Sequence, residues 1–109
     1  MTLLFYIPPV LRTFTAGQAS VSCDAPDAAA AKLTIADALA LLFARHPGLR
    51  DRVTDERGAV RTHVNVFLGV ESIRFTGGLA TPLPSAAAVE ISIVPAISGG
   101  LGEEVAPWA

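Results

Sequence analysis

The sequence predicts an α+β domain in which one main helix packs on one face of a sheet of four to five strands. Several short segments alternate between apolar and polar residues, which is typical of half-buried strands. One segment, at residues 35–46, instead repeats its apolar residues at helical spacing. Because a single helix cannot cover both faces of a sheet, we expect it to lie on one face only. A chain of 109 residues is long enough for one such domain.

The first two strands are predicted at residues 2–7 and 18–23. The second strand places three residues on one face, namely Ala19, Val21 and Cys23. The stretch Thr15-Ala16-Gly17 between the strands suits a turn, so we expect an antiparallel hairpin. Residues 24–32 are rich in alanine, and we interpret them as a loop with room for one helical turn.

The helix over residues 35–46 has clear start and stop signals. Thr34 offers an N-cap, and Asp37 three residues later completes a capping box. The apolar stripe consists of Ile35, Ala38, Leu39, Leu42 and Phe43. Pro47-Gly48 ends the helix, and residues 49–53 are expected to add a short turn.

Three more strands are predicted in the second half of the chain, at residues 61–68, 72–75 and 89–94. Leu79 and Leu83 are expected to anchor the loop between the last two of them. The inward-facing residues of the two longer strands are Val64, Val66, Leu68, Val89, Ile91 and Ile93. We expect the centre of the core to contain Phe5, Ile7, Val21, Leu39, Leu42, Val66, Ile91 and Ile93.

Composition narrows the class of protein. Eight Lys and Arg against ten Asp and Glu give a net charge of −2, and no basic cluster is interleaved with aromatic residues, so we expect no nucleic-acid partner. The segment Met1–Pro9 lacks the basic start of a signal peptide, and no apolar run approaches the ~18–20 residues that span a bilayer. A lone Cys23 excludes an intramolecular disulfide. We therefore expect a soluble, cytoplasmic protein without a membrane partner.

The residues most often found in catalytic or metal sites are scattered along this chain. His46 lies at the predicted helix end, where a cation interacts favourably with the helix dipole. His63 has no acidic neighbour in the sequence, so we interpret it as a surface residue. Cys23 falls on the inward face of its strand, where we expect a buried, unreactive thiol. The sequence thus predicts no catalytic constellation and no metal site.

Phe67 is predicted to point away from the core, opposite to the inward-facing residues of its strand. An aromatic residue on an open sheet face is a candidate contact for a partner protein, and Arg74 and Phe75 are candidates for the same surface. The alternative interpretation is a singly exposed apolar side chain, which folded proteins commonly carry.

Six stretches are informative through their order and spacing along the chain. They are Ile7-Pro8-Pro9-Val10-Leu11-Arg12, Ala44-Arg45-His46-Pro47-Gly48-Leu49, Val64-Asn65-Val66-Phe67-Leu68, Ile73-Arg74-Phe75, Gly78-Leu79-Ala80-Thr81-Pro82-Leu83 and Pro95-Ala96-Ile97-Ser98-Gly99-Gly100. In these stretches the chain resembles the small sulfur-carrier proteins of the MoaD/ThiS family. The resemblance extends from about Thr2 to Gly100.

The resemblance implies a ubiquitin-like β-grasp fold with a mixed sheet, whose first and last strands are parallel neighbours at the centre. It implies a carrier that is not an enzyme and holds no cofactor. Gly100 would be adenylated by an ATP-dependent adenylyltransferase of the ubiquitin-activating type and then thiocarboxylated by a sulfurtransferase. A sulfur-accepting biosynthetic enzyme would use the product, in a pathway to cysteine, molybdopterin, thiamine or a secondary metabolite. Gly99 and Gly100 lack a Cβ, so they suit a narrow enzyme channel.

The chain continues beyond the two glycines to Ala109. We therefore expect a β-grasp domain over residues 1–97 and a flexible tail over residues 98–109, of which residues 101–109 form a removable extension. The resemblance implies that a JAMM-type metalloprotease removes this extension and exposes Gly100.

Two other functions stay open from the sequence. A ubiquitin-like modifier conjugated to lysines through Gly100 would use the same activated terminus. A non-catalytic interaction module would use Gly99 and Gly100 only as a linker, because paired glycines are also common in loops.

Overall fold

The computed structural model describes residues 1–27 and 31–95. The described strands and helices are β1 (Thr2–Tyr6), β2 (Ser20–Asp24), α1 (Ile35–Arg45), α2 (Arg50–Val53), β3 (Val64–Leu68), β4 (Glu71–Ser72) and β5 (Ala88–Pro95). Short 3₁₀ helices occur at Pro9–Thr15, Pro47–Leu49, Ile73–Phe75 and Gly78–Ala80. Gly99, Gly100, the boundary at residue 98 and the extension at residues 101–109 lie outside the described residues.

The five described strands form one mixed sheet in the order β2-β1-β5-β3-β4. β1 and β5 are parallel neighbours at its centre, with Phe5 opposite Ile91, and the other pairings are antiparallel. This arrangement confirms the predicted α+β class and the central parallel pair. Parallel strands need a long crossover between them, and here the rest of the domain supplies it.

The predicted core is confirmed residue by residue. All eight residues that were expected at its centre are buried in one cluster, namely Phe5, Ile7, Val21, Leu39, Leu42, Val66, Ile91 and Ile93. Leu83 is buried with them, and Leu68 and Leu79 are partly buried and pack against the cluster. The helical phase that sequence periodicity assigned to α1 is therefore correct.

The start of α1 is stabilised both locally and by the chain that follows β4. The Asp37 carboxylate accepts hydrogen bonds from the Thr34 backbone N–H at 2.8 Å and from the Thr34 hydroxyl at 3.0 Å. The Ile35 N–H donates to the carbonyl of Thr81 at 2.9 Å, so the loop before β5 is joined to the helix. The helix ends at Arg45, directly before His46 and Pro47, as the stop signals predicted.

The fourth strand was predicted over residues 72–75, and this prediction is largely wrong. Only Glu71–Ser72 pairs with β3, and Ile73–Phe75 forms a 3₁₀ helix. The hydroxyl of Ser72 accepts a hydrogen bond from the Arg74 N–H at 3.3 Å, and Ile73 turns into the core. A side chain that caps a turn competes with the strand ladder, and this explains the departure.

Two other strand boundaries shift by two or three residues. β3 begins at Val64 rather than at residue 61, because the Val64 N–H closes a turn onto the Arg61 carbonyl. β2 begins at Ser20, and Ala19 just before it is exposed. Within the described ranges, no helix is long and apolar enough to cross a membrane.

Candidate partner-docking site at the exit of the last strand

β5 leaves the sheet beside the beginning of β3. Its parallel neighbour β1 ends at Tyr6, which lies opposite Ser92, so the last residues of β5 pair only with β3. Pro95 is the last described residue and lies opposite Val64. The described part of the chain therefore ends beside the start of β3.

A cavity of about 430 Å³ opens next to this exit. Its lining residues are Ala59, Val60, Thr62, Val64, Val66, Ile73, Arg74, Gly78 and Leu79. Most of them are apolar, and Arg74 is the one charged residue among them. Concave apolar surface with a single charged group is typical of a recognition site.

Arg74 is held by backbone carbonyls. One terminal nitrogen of its guanidinium, Nη2, donates to the carbonyl of Thr62 at 2.7 Å and to the carbonyl of Val64 at 3.2 Å. β4 pairs only with the last two residues of β3, so among residues 1–27 and 31–95 no strand pairs with the beginning of β3 on that side. Arg74 therefore supplies hydrogen bonds at an open sheet edge, where unpaired carbonyls would otherwise face solvent.

Phe67 lies on the sheet face opposite to α1, as predicted. The registers align one row across the sheet, made of Ser20, Tyr6, Ser92, Phe67 and Ser72. Each aromatic ring therefore stands between two small serines. Phe67 is half-buried and Tyr6 is 41% exposed, so both rings are accessible on this face.

The three residues that were predicted to form one docking surface do not lie together in the structure. Phe67 faces outward from the sheet, whereas Arg74 lines the cavity together with Val64 and Val66, whose side chains face inward. Phe75 is 88% exposed at the end of its 3₁₀ helix. Phe67 and Arg74 thus lie on two sides of β3. This separation follows from the 3₁₀ turn at Ile73–Phe75, which sequence periodicity missed.

Tyr6 also lies on the outer face of the sheet, although it was not among the three predicted docking residues. The alternation along β1 already placed Tyr6 opposite to the inward side chains, which was the available signal. Its hydroxyl donates to a Glu90 carboxylate oxygen at 3.4 Å. Desolvation of the ring and the charge and hydrogen bond of Glu90 raise the pKa of Tyr6 above its ordinary 10.0.

Cys23 and His46 are not among the residues that line the cavity, whereas His63 stands between two that are, Thr62 and Val64. Cys23 is a free thiol buried in the core, as expected. His46 caps α1 through its backbone N–H, and its Nε2 atom is buried with no hydrogen-bond partner among the described residues. His63 is exposed before β3. In residues 1–27 and 31–95 there is no group of three His, Cys, Asp or Glu side chains that could hold a metal ion.

No protein-family model matches this chain. A sequence comparison finds the sulfur carrier protein CysO of Mycobacterium tuberculosis, which is 33% identical over 102 residues. The match covers 92% of this chain and 100% of that relative. One-third identity over nearly the whole length of both chains shows that this chain and its mycobacterial relative belong to one family.

Solved structures agree with the sequence comparison. The crystal structure of Mycobacterium tuberculosis CysO has a TM-score of 0.72 at 32% identity and covers 87% of this chain and 99% of its own. The Amycolatopsis orientalis BexX/CysO complex matches with a TM-score of 0.72 at 28% identity, over 90% of this chain and 99% of that one. SAMP1 from Haloferax volcanii also has a TM-score of 0.72 at 28% identity, over 92% and 100%. These likenesses confirm the ubiquitin-like β-grasp fold.

Proposed function

This chain belongs to the sulfur carrier proteins of the MoaD/ThiS type, and we propose that Gly100 is the residue on which it carries sulfur. The observation that carries the proposal is the match to a sulfur carrier over that relative's whole length. Gly99 and Gly100 follow within five residues of Pro95, where β5 leaves the sheet. Two residues without a Cβ can enter a narrow channel as an extended strand.

The chemistry takes place in partner enzymes. In an ATP-dependent adenylyltransferase of the ubiquitin-activating type, a carboxylate oxygen of Gly100 attacks the α-phosphorus of ATP, and pyrophosphate leaves. Sulfide then adds to the acyl carbon, AMP leaves, and loss of a proton gives the thiocarboxylate. Where a sulfurtransferase delivers the sulfur as a persulfide instead, displacement of AMP gives an acyl disulfide, and a second thiol cleaves its S–S bond, forming a disulfide and releasing the thiocarboxylate. The carrier is the substrate in both steps and needs no catalytic side chain of its own. We place these steps in the cytoplasm, where thiols are kept reduced.

The domain ends, in this proposal, at residue 97, and residues 101–109 are removed before activation. In the uncut chain the Gly100 carboxyl group is locked in the peptide bond to Leu101. A JAMM-type metalloprotease is the proposed processing enzyme.

The outer face of the sheet, with Phe67 and Tyr6, is the proposed contact for the activating enzyme. Accessible aromatic rings among small serines offer apolar area at little cost in side-chain entropy. A sulfur-accepting biosynthetic enzyme is the proposed final partner. The solved complex of an Amycolatopsis CysO with BexX supports this, since a similar carrier has been captured with a partner protein.

Intact-mass analysis tests the proposal directly. Chains ending at Gly100 and at Ala109 are incubated with an activating enzyme from the same organism, ATP and a sulfide donor. We expect the shorter chain to gain the mass of one oxygen replaced by sulfur and the longer chain to stay unchanged. The matched control is Gly100→Val in the shorter chain, where a branched side chain should block entry into the channel. A thiocarboxylate on the uncut chain, or none on the Gly100-terminated chain, would contradict the proposal.

A protein modifier is the second candidate function. The observation that favours it is the likeness to SAMP1, which is described as a small archaeal modifier protein. A modifier would form isopeptide bonds between Gly100 and lysine side chains. Mass spectrometry of digested cell extracts should find the carboxyl-terminal peptide attached to lysines if this function operates, and only as free acid or thiocarboxylate if sulfur transfer is the sole function.

A further inference from the structure

The cavity at the exit of β5 has the shape and charge of an anchor site. We propose that it receives an apolar side chain flanked by a carboxylate, from the protein that takes up the carrier's tail. The inference deepens the proposed function and rests on it, because it presumes that a partner grips the chain beyond Pro95. It concerns the inward side of β3 and is separate from the outer face around Phe67.

The apolar part of the occupant follows from the cavity walls. Val60, Val64 and Leu79 present aliphatic side chains, and the opening measures about 430 Å³, enough for an aromatic or branched aliphatic residue. Pockets of this kind hold the few residues that contribute most of the binding free energy in protein interfaces.

The carboxylate of the proposed occupant is inferred from the charge of Arg74 and from its remaining hydrogen-bond donors. Its Nη2 atom serves two carbonyls, but a guanidinium has five N–H donors and a full positive charge. In the part of the chain that the structure describes, no carboxylate pairs with Arg74, and no acidic residue lines the cavity. A partner carboxylate at this rim would form a charge-assisted hydrogen bond with a guanidinium that is already held in place. A cationic occupant would be repelled.

The identity of the partner follows from position. Val64 lines the cavity and is also the residue opposite Pro95, so the cavity adjoins the point from which the tail departs. A protein that draws the tail into a channel must cover the surface around this point. Side chains of that protein therefore come within reach of the cavity without further adjustment of the carrier.

The first experiment measures adenylation of the Gly100-terminated chain by its activating enzyme, as KM and kcat for the carrier. Arg74→Gln removes the charge, and Ala59→Phe fills the cavity. Each variant should raise KM about tenfold and leave kcat within about twofold. Arg74→Lys, which keeps the charge, should raise KM less than Arg74→Gln does.

The matched control is Arg45→Gln. Arg45 also donates to an edge carbonyl, that of Ser22 at 2.7 Å, but on the opposite edge of the sheet. Arg45→Gln therefore removes the same kind of structural hydrogen bond as Arg74→Gln, and it should leave KM unchanged. Equal increases in KM for Arg45→Gln and Arg74→Gln, or no increase for Arg74→Gln and Ala59→Phe, would overturn the inference.

The second experiment does not depend on activation. The full chain is titrated with the peptide acetyl-Gly-Phe-Asp-Gly-amide, and the methyl resonances of Val60, Val64 and Leu79 are followed by NMR. We expect saturable shifts that weaken when Asn or Lys replaces Asp in the peptide and disappear in Ala59→Phe. Absent shifts, or shifts that do not depend on the Asp, would overturn the inference even if Gly100 is thiocarboxylated, so its failure is distinguishable from failure of the proposed function.

Discussion

Pro95 lies opposite Val64 across the antiparallel pair of β5 and β3, and the carbonyl of Val64 accepts a hydrogen bond from Arg74. Proline has no N–H to donate, so it suits the last position of a ladder. Val64 therefore links the last described residue of β5 to Arg74, since it lies opposite Pro95 and its carbonyl binds the guanidinium.

Leu42→Ala should lower the free energy of unfolding by about 2–5 kcal/mol, because Leu42 is 0% exposed and the cavity left behind cannot fully collapse. Urea denaturation followed by circular dichroism gives the value. Leu41→Ala, the neighbouring but only partly buried leucine, is the matched control and should cost clearly less. Equal costs for the two variants would show that the phase of α1 is wrong.

Ala16→Gly should stabilise the domain by up to about 1 kcal/mol. Ala16 has a φ of 56°, in the left-handed region. There the Cβ of an alanine clashes with its own backbone, whereas glycine has no Cβ and avoids this cost. The same substitution at exposed Ala44, inside α1, should instead destabilise by about 1 kcal/mol. Thermal unfolding of both variants checks the opposite signs, and a loss of stability for Ala16→Gly would contradict the strain argument.

Tyr6 should titrate above its ordinary pKa of 10.0, because desolvation and Glu90 disfavour the phenolate. It is the sole tyrosine, so ultraviolet absorbance reports it alone. The folded state holds the proton more tightly, so the stability that Tyr6 contributes is present below pH 10 and is lost as the pH rises through the raised pKa.

Glu90→Gln should lower the pKa of Tyr6 partway toward 10.0, since the charge of Glu90 is removed while desolvation remains. Glu71→Gln, at the far edge of the sheet, should leave the titration unchanged. A midpoint that does not respond to Glu90→Gln would show that the carboxylate does not face the phenol.

Phe67→Ser should raise the KM of the activating enzyme for the carrier about tenfold with little effect on kcat, if the outer face is the docking surface. Val70→Ser is the control, because Val70 is an equally apolar residue, 94% exposed, in the turn after β3. Unfolding temperatures of both variants separate a binding defect from a folding defect. An unchanged KM for a folded Phe67→Ser would exclude Phe67 from the interface.

The sequence by itself determined the elements whose signals are local. The apolar spacing of Ile35, Leu39 and Leu42 set the phase of α1, and the alternation in β1, β3 and β5 identified the inward side chains. The Thr34 and Asp37 pair marked the helix start. Such patterns suffice because burial of one face imposes a period of 3.6 residues on helices and of two on strands.

Only the tertiary structure decided which side chains meet. Ile73–Phe75 reads as a strand, yet capping by Ser72 and burial of Ile73 turn it into a 3₁₀ helix and carry Arg74 to the edge of β3. The cavity and the aligned row of Tyr6 and Phe67 likewise depend on registers between distant strands. A period in the sequence records which face of an element is buried. It does not record which other element covers that face, because contacts between residues far apart in the chain make that choice.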